Sequence, residues 1–178
     1  MKRINSRIAL MIATFVLVAS VAFASTPTGQ SASMEKVRKE LVTLPYYGVF
    51  DNLEYQVEGS TVTLYGQVVK PITRQDAERR VARIEGVDHV VNNIEVLPLS
   101  GFDDSIRARA YRAIFRTGSL YRYAMGANPS IHIVVRNGRI TLEGVVSNQM
   151  DSQLANTAAR SVPGVFSVTN NLRVGSKS

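Results

Sequence analysis

An internal repeat constrains the fold of this 178-residue chain more than any other feature of its sequence. Residues 57–96 align with residues 135–174 at a constant offset of 78, without a gap, and thirteen of the forty positions are identical. The identical pairs are Val57/Val135, Thr63/Thr141, Leu64/Leu142, Gly66/Gly144, Val68/Val146, Gln75/Gln153, Ala77/Ala155, Gly86/Gly164, Val87/Val165, Val90/Val168, Asn92/Asn170, Asn93/Asn171 and Val96/Val174. Matches held in register over this length indicate a tandem duplication of a unit of about 70 residues.

The hydrophobic period along each unit predicts its secondary structure. In the first unit, apolar and polar residues alternate on both sides of a turn at Gly59, which is typical of a β-hairpin. The second unit repeats this pattern around Asn137-Gly138, a strong hairpin signal because both residues tolerate positive φ. Glycines that interrupt the strands, Gly66 and Gly144, are expected to mark a bulge or a close approach of another element.

After each hairpin the period becomes helical, and Thr73 and Asp151 are predicted to cap these helices at their N-termini. A third strand follows, over residues 87–97 in the first unit. Further helices that precede the hairpins are predicted near residues 34–43 and 104–117. The sequence therefore predicts an α+β fold of two tandem α-β-β-α-β domains, each a three-stranded mixed sheet with two helices on one face.

The N-terminus has the layout of a secretory signal peptide. Three basic residues among the first seven precede an uncharged run from Ile8 to Val21, and Ala22-Phe23-Ala24 forms an A-x-A cleavage site. We expect cleavage after Ala24, which leaves an exported, periplasmic chain. No cysteine follows that could carry a lipid anchor.

The predicted domain boundaries are a signal peptide at 1–24, a first domain at 34–98, a linker at 99–103 and a second domain at 104–174. The linker region contains the apolar residues Leu97, Leu99 and Phe102. Units this small bury only about 60% of their surface and are marginally stable alone. We therefore expect these linker residues to pack between the two domains.

The residue types present exclude several classes of site. The chain has no cysteine, which rules out disulfides, thiolate nucleophiles and Cys-based zinc sites, and its two histidines cannot form an HExxH motif. His89 and His132 both occupy the polar phase of a strand and are expected to be solvated. The repeated Asn92 and Asn170 are expected to hydrogen-bond backbone groups at a turn or bulge rather than a metal. We predict no catalytic residue, no cofactor and no metal.

The two units carry a specific family signature. Each contains G-x-V-T-L-x-G-x-V or a close variant, an alanine-containing helix, and then G-V-x-x-V-x-N-x-[IL]. These motifs occupy Gly59–Val68, Gly86–Ile94, Gly138–Val146 and Gly164–Leu172. The chain resembles the BON family, named for a bacterial osmotically inducible periplasmic protein and for nodulation proteins. This resemblance implies a non-enzymatic, stress-related envelope protein involved in phospholipid binding, envelope integrity or periplasmic chaperoning.

The basic residues are concentrated in the second unit. Residues 101–178 carry ten basic and four acidic side chains, whereas residues 25–100 carry eight and ten. On a helical wheel of the predicted helix 104–117, three arginines share the face opposite the apolar residues, and no acid lies among them. The following loop combines apolar, tyrosine and arginine side chains. The predicted lipid-binding residues are Arg109, Arg112, Arg116, Leu120, Tyr121, Arg122, Tyr123 and Met125.

The predicted function is therefore peripheral binding of anionic phospholipid surfaces through the second domain, in support of envelope integrity. Guanidinium groups suit phosphate, and tyrosine favours a membrane interface. Packing of the loop between the domains is the alternative for that segment. A second function remains open, a periplasmic chaperone or protein-interaction module acting on envelope proteins through Tyr46, Tyr47 and Phe50, and polysaccharide binding is a third. No nucleic acid and no small-molecule substrate is expected as a partner.

Overall fold

The computed structural model describes residues 27–126 and 128–175, with side chains from residue 33 onward, so the predicted signal peptide lies outside the described residues. The first domain comprises α1 (Pro27–Val42), β1 (Asn52–Glu58), β2 (Thr61–Val68), α2 (Pro71–Val81), β3 (His89–Asn92) and β4 (Glu95–Val96). The second domain comprises α3 (Gly101–Phe115), a 3-10 helix (Gly118–Ala124), β5 (Ile131–Arg136), β6 (Arg139–Val146), α4 (Gln149–Arg160), β7 (Ser167–Asn170) and β8 (Arg173–Val174).

Each sheet is built around the second strand of its hairpin. In the first domain β1 pairs with β2 antiparallel, while β3 and β4 pair with the other edge of β2 in parallel. In the second domain β5 pairs with β6 antiparallel, and β7 and β8 pair with β6 in parallel. Two helices cover one face of each sheet, and the apolar cores lie between these layers. The predicted α+β fold of two tandem domains is confirmed.

Apolar residues at helical spacing attach the first helix of each domain to its sheet. In α1, Val37 and Leu41 are buried at i and i+4. In α3, Ile106, Ala110 and Ile114 are fully buried at i, i+4 and i+8. Since residues four apart lie on the same helix face, each helix presents one apolar stripe to its sheet and leaves the opposite face to solvent.

Two of the repeated glycines are required by a close approach of neighbouring strands. Gly66 and Gly144 have φ of 111° and 114°, a region that side chains rarely permit. A Cβ at Gly66 would lie 2.0 Å from the carbonyl oxygen of Asn52, and one at Gly144 would lie 2.1 Å from that of Ser130. The expectation that a bulge or close approach requires glycine here is confirmed.

The predicted continuous third strand is wrong, because each domain breaks it into two short strands. Between β3 and β4, the side-chain oxygen of Asn92 accepts a hydrogen bond from Ile94 N at 3.1 Å. Between β7 and β8, Asn170 accepts the equivalent bond from Leu172 N at 3.2 Å. Each amide thus replaces a sheet hydrogen bond where the chain bends. The prediction that these asparagines satisfy backbone groups is confirmed.

Both predicted helix caps are wrong. Helix α2 begins at Pro71, whose ring presets a helical φ, and Thr73 is buried inside the first turn. Helix α4 begins one turn earlier than predicted, since the side chain of Asn148 accepts a hydrogen bond from Asp151 N at 2.8 Å. Asp151 therefore lies inside the helix, and its carboxylate is available for other contacts.

The linker does not pack as predicted. Leu97 is buried, but Leu99 is 96% exposed and Phe102 is 48% exposed. Helix α3 begins at Gly101, where Ser100 caps it by accepting a hydrogen bond from Asp103 N at 3.2 Å. Phe102 therefore belongs to the first turn of a helix, where its side chain remains about half exposed.

The domains contact each other mainly through the segment between α1 and β1. The ring of Tyr47 stacks on His132 with centroids 5.3 Å apart, and Phe50 meets Tyr111 edge to face at 6.3 Å. The carbonyl oxygen of Val49 accepts a hydrogen bond from the backbone N–H of Ile133 on β5 at 2.7 Å. An ion pair between Arg136 and Glu95 also joins the domains.

His132 is not solvated, contrary to the sequence prediction. Its side chain points to the outer face of the second sheet, but the first domain covers that face, and His132 is buried. Its Nδ1 lies 3.2 Å from the carbonyl oxygen of Gly48, and its Nε2 lies 3.3 Å from the hydroxyl of Tyr47. Burial lowers the pKa of His132 and raises the pKa of Tyr47 to about 12.

The buried imidazole makes stability fall in mild acid. In the unfolded chain a histidine has a pKa of about 6.5, so the unfolded state takes up the proton first as the pH decreases. The stability that depends on neutral His132 is fully present above that pH and is lost as the pH falls through the lowered folded-state pKa. We expect His132→Gln to reduce this acid-dependent loss of unfolding free energy, measured by urea denaturation at a series of pH values.

His89 provides the matched control, because it lies exposed on β3. The variant His89→Gln should retain the pH dependence of the unmodified protein. Identical pH profiles for His132→Gln and the unmodified protein would contradict this account of the interface.

Candidate membrane-contact surface

Helix α3 carries three arginines on the side away from its core. Ile106, Ala110 and Ile114 face the sheet, so the opposite side of the helix presents Arg112 and Arg116 to solvent. Arg109 lies on the same side and is half-buried. The structure thus brings together the three arginines that the sequence grouped, and we call Arg109, Arg112 and Arg116 the arginine face.

In the part of the chain that the structure describes, the arginine face has no acidic partner. Among the described residues, none of these three arginines takes part in an ion pair. The two acids of α3 are engaged elsewhere: Asp104 pairs with Arg107, and buried Asp103 accepts hydrogen bonds from Asn137 N and Gly138 N at 2.8 Å each. Within the described residues, the positive charge of this helix side is therefore not compensated by an ion pair.

The segment after α3 is a 3-10 helix, and it divides the predicted loop residues into two groups. Leu120 and Tyr123 are buried in the core of the second domain, so their inclusion in a surface site is corrected. In a 3-10 helix, residues three apart share a face, and these two side chains accordingly point inward together. Tyr121 and Met125 remain on the surface, where they are 61% and 67% exposed.

Arg122 is exposed but paired. Its guanidinium forms an ion pair with Asp151 and donates to the hydroxyl of Tyr123 at 3.0 Å. That hydroxyl donates to Asp151 and accepts from Ser147 N at 2.9 Å. The hydrogen bond from Tyr123 and the ion pair with Arg122 lower the pKa of Asp151. We call Arg122, Tyr123 and Asp151 the α4 hub, and the charge of Arg122 is largely compensated there.

An exposed methionine next to this hub was not predicted from the sequence. Met150 in the first turn of α4 is 77% exposed and precedes Asp151 in the chain. Because Asp151 contacts the 3-10 helix, Met150 lies at the same end of the domain as Tyr121 and Met125. The sequence prediction took Asp151 as the helix cap and so placed Met150 before α4. Because Met150 lies within α4, its exposure on the helix surface was not predicted.

An apolar groove of about 610 Å³ lies between α3 and the first domain. Its apolar lining comes from Val49, Phe50, Val69, Ala108 and Tyr111. Helix α3 also contributes Arg112, a member of the arginine face, to the lining. The groove therefore adjoins the candidate surface.

The three aromatic residues suggested for client binding differ in exposure. Tyr47 and Phe50 pack against the second domain, so the expectation that they are exposed is wrong. Tyr46 is exposed, and the ammonium group of Lys70 lies 4.5 Å from its ring centroid. Of the three residues suggested for an aromatic binding surface, Tyr46 alone is exposed.

Two further properties of the described part of the chain bear on its chemistry. Residues 27–126 and 128–175 contain no group of three or more His, Asp or Glu residues that could hold a metal ion. Within the same residues, no helix is both long and apolar enough to cross a bilayer.

Comparison with known families identifies the domains. Residues 34–98 and residues 103–176 each match the BON domain. The chain belongs to the BON domain family. This family is linked to phospholipid binding and to envelope stress proteins. Its members are generally non-enzymatic and are typically periplasmic or envelope-associated. The resemblance of the duplicated motifs to BON domains is confirmed.

Two solved structures are weakly similar to this BON protein. The C-terminal domain of CdsD, a structural protein of the type III secretion system of Chlamydia trachomatis, is 10% identical, with 80% of this chain and 97% of that chain covered and a TM-score of 0.33. A second CdsD structure is 9% identical over 81% and 93% of the two chains, with a TM-score of 0.31. Likeness at this level supports no functional argument. No curated protein matches the chain.

The α4 hub predicts that Tyr123 acts in stability rather than in binding. Tyr123→Phe leaves Ser147 N–H and the buried carboxylate of Asp151 without their common partner. We expect a loss of about 1–3 kcal/mol in the free energy of unfolding, measured by urea denaturation. The control Tyr121→Phe, at an exposed position, should change stability by less than about 0.5 kcal/mol. Equal stability of the two variants would exclude a structural role for the Tyr123 hydroxyl.

Proposed function

We propose that this BON protein is a non-enzymatic envelope protein that binds anionic phospholipid surfaces peripherally through its second domain and supports envelope integrity. The observation that carries the proposal is the arginine face: three guanidinium groups on one exposed helix side, without an ion pair among the described residues. Guanidinium binds phosphate oxygens bidentately and holds its charge at any physiological pH. The family's link to phospholipid binding supports the same class of partner.

The apolar side chains at the C-terminal end of α3 suit the same partner. Tyr121 and Met125 are exposed beyond Arg116, where a helix lying on a membrane would bring them to the headgroups. Three arginines contribute about 3 kcal/mol near an anionic surface, and two partly inserted side chains add about 3 kcal/mol. Together these correspond to an affinity of about 10–100 μM. Binding should therefore be weak, reversible and sensitive to salt.

The charge of the arginine face provides the direct test. In Arg109→Glu/Arg112→Glu/Arg116→Glu each attraction of about 1 kcal/mol becomes a comparable repulsion, so co-sedimentation with phosphatidylglycerol vesicles should weaken at least about a hundredfold. The fold should survive, because Arg112 and Arg116 are exposed and half-buried Arg109 lies on the side of α3 away from the sheet. Circular dichroism and urea denaturation would verify this.

The matched control changes the same charge on the first domain. The variant Lys36→Glu/Arg38→Glu/Lys39→Glu acts on α1, where Glu35 pairs with Arg38 and Glu40 pairs with Arg80. We expect little loss of vesicle binding. Equal loss in both triple variants would mean that net charge alone matters, and undiminished binding by the α3 variant would remove the proposed site.

We also propose that the chain is exported and processed after Ala24. The expectation rests on the basic N-terminus, the apolar run and the A-x-A sequence at residues 22–24. Intact mass spectrometry of the protein from a periplasmic fraction should give the mass of residues 25–178. Recovery of the full-length chain, extractable only with detergent, would contradict the proposal.

The alternative function is a chaperone or protein-interaction module that binds envelope proteins. Its remaining support in the first domain is exposed Tyr46. Binding of apolar client segments would depend little on salt, whereas attraction of arginines to a membrane weakens as salt increases. Vesicle and client binding at two salt concentrations therefore distinguishes the two functions.

A further inference from the structure

Two exposed phenylalanines lie together at the N-terminal end of α3, opposite the end that carries Tyr121 and Met125. Phe102 from the first turn of α3 and Phe166 from the turn before β7 have ring centroids 6.1 Å apart. Phe166 is 73% exposed. Leu99, also exposed, is two residues from the start of α3. We call Phe102 and Phe166 the phenylalanine pair.

The fold itself does not require phenylalanine at position 166. The backbone N–H of Phe166 donates to Gly138 O at 2.9 Å, and in the first domain Asp88 N donates to Ser60 O at 2.8 Å. Positions 88 and 166 are also equivalent in the repeat, 78 residues apart. One BON domain thus builds this turn with an exposed carboxylate and the other with an exposed ring, which points to a use outside the fold.

The phenylalanine pair adjoins the arginine face. A Cβ placed on Gly164 would lie 3.6 Å from Phe102 Cε2 and 3.6 Å from Arg109 Nη2, so ring and guanidinium approach the same point. Phe102 and Arg109 are seven residues apart, which places them on one side of the helix. The ring of Phe166 covers the hairpin turn, where a Cβ on Gly138 would lie 2.6 Å from its Cδ2.

We propose that the phenylalanine pair is an apolar anchor that inserts into the acyl region of an anionic membrane while Arg109 binds the phosphates above it. The inference rests on the proposed function and adds the contact that holds the N-terminal end of α3. From position 102 to position 116 the helix extends about 20 Å. With apolar side chains at both ends and arginines between them, α3 would lie parallel to the membrane surface.

A second copy of the chain fits this surface less well. A stable protein–protein interface buries about 800 Å² on each partner, far more than two rings provide. Association through the pair would also bring the uncompensated arginine faces of both copies towards each other, which costs energy. An anionic lipid surface supplies the opposite charge and an apolar layer together.

The chain contains no tryptophan, so a single introduced tryptophan reports directly on insertion. We would compare Phe166→Trp with Asp88→Trp, which labels the equivalent turn of the first domain. With phosphatidylglycerol vesicles the tryptophan at 166 should shift its emission to the blue and be quenched by brominated acyl chains. The tryptophan at 88 should show neither effect, and phosphatidylcholine vesicles should give neither for either variant.

A charge substitution tests whether the anchor contributes affinity. Phe166→Asp installs the residue that the first domain carries at this turn, so the fold should tolerate it. As a control, Val91→Asp makes the same charge change at an exposed position on β3. Phe166→Asp removes the ring that would be inserted into the membrane, so its partitioning to vesicles should be about tenfold weaker. Val91→Asp should change partitioning by less than about threefold, because one added charge acts weakly through the solvent.

The outcomes separate this inference from the proposed function. Salt-sensitive vesicle binding with an unquenched tryptophan at 166 would overturn the anchor and leave the arginine face in place. No vesicle binding by the unmodified chain would overturn both. A blue shift that depends on protein concentration without vesicles, together with dimers in analytical ultracentrifugation, would assign the pair to self-association and overturn the anchor. Quenching at 166 but not at 88 would support it.

Discussion

One backbone N–H just after β2 and one just after β6 need a hydrogen-bond acceptor, and the two domains supply different groups for it. In the first domain, Val69 N donates to the carboxylate of Asp51 at 2.7 Å. In the second, the equivalent Ser147 N donates to the hydroxyl of Tyr123. A tyrosine hydroxyl also needs an acceptor of its own, and buried Asp151 provides it. The longer segment after α3 is therefore drawn onto the domain as a 3-10 helix with Leu120 and Tyr123 inside, and this placement leaves Tyr121 outside.

The way the domains pack determines which surfaces remain available. The segment before β1 covers the outer sheet face of the second domain, where Tyr47 stacks on His132 and Val49 bonds to β5. Burial lowers the pKa of this imidazole, so we expect the contact between the domains to weaken in mild acid. The first domain also reaches α3, where Phe50 meets Tyr111, but Arg112 and Arg116 remain exposed beside this contact. The aromatic residues that the sequence offered as a client-binding surface are used for this contact.

Duplication made the topology predictable, since two aligned copies of one pattern define hairpin, helix and strand order together. The arginine face followed from helical periodicity, because Ile106, Ala110 and Ile114 fix which side of α3 is buried. Features that depend on contacts distant in sequence were not accessible. The alternation of apolar and polar residues along β5 correctly places the side chain of His132 on the outer face of its sheet. No local pattern reveals that the first domain covers this face. Likewise, the pairing of Arg122 with Asp151 joins residues 29 positions apart.

Comparing equivalent positions of the two BON domains shows which residues the fold requires and which positions can vary. Gly66 and Gly144 agree because a side chain would collide with the neighbouring strand, whereas Asp88 and Phe166 differ at one turn with the same hydrogen bond. Of the two domains, the second carries the surplus of positive charge. Attraction by arginines extends over about 8 Å in physiological salt, while apolar insertion acts only on contact. On an anionic surface the arginine face would therefore orient the second domain first, and only then could the rings of Phe102 and Phe166 reach below the phosphates.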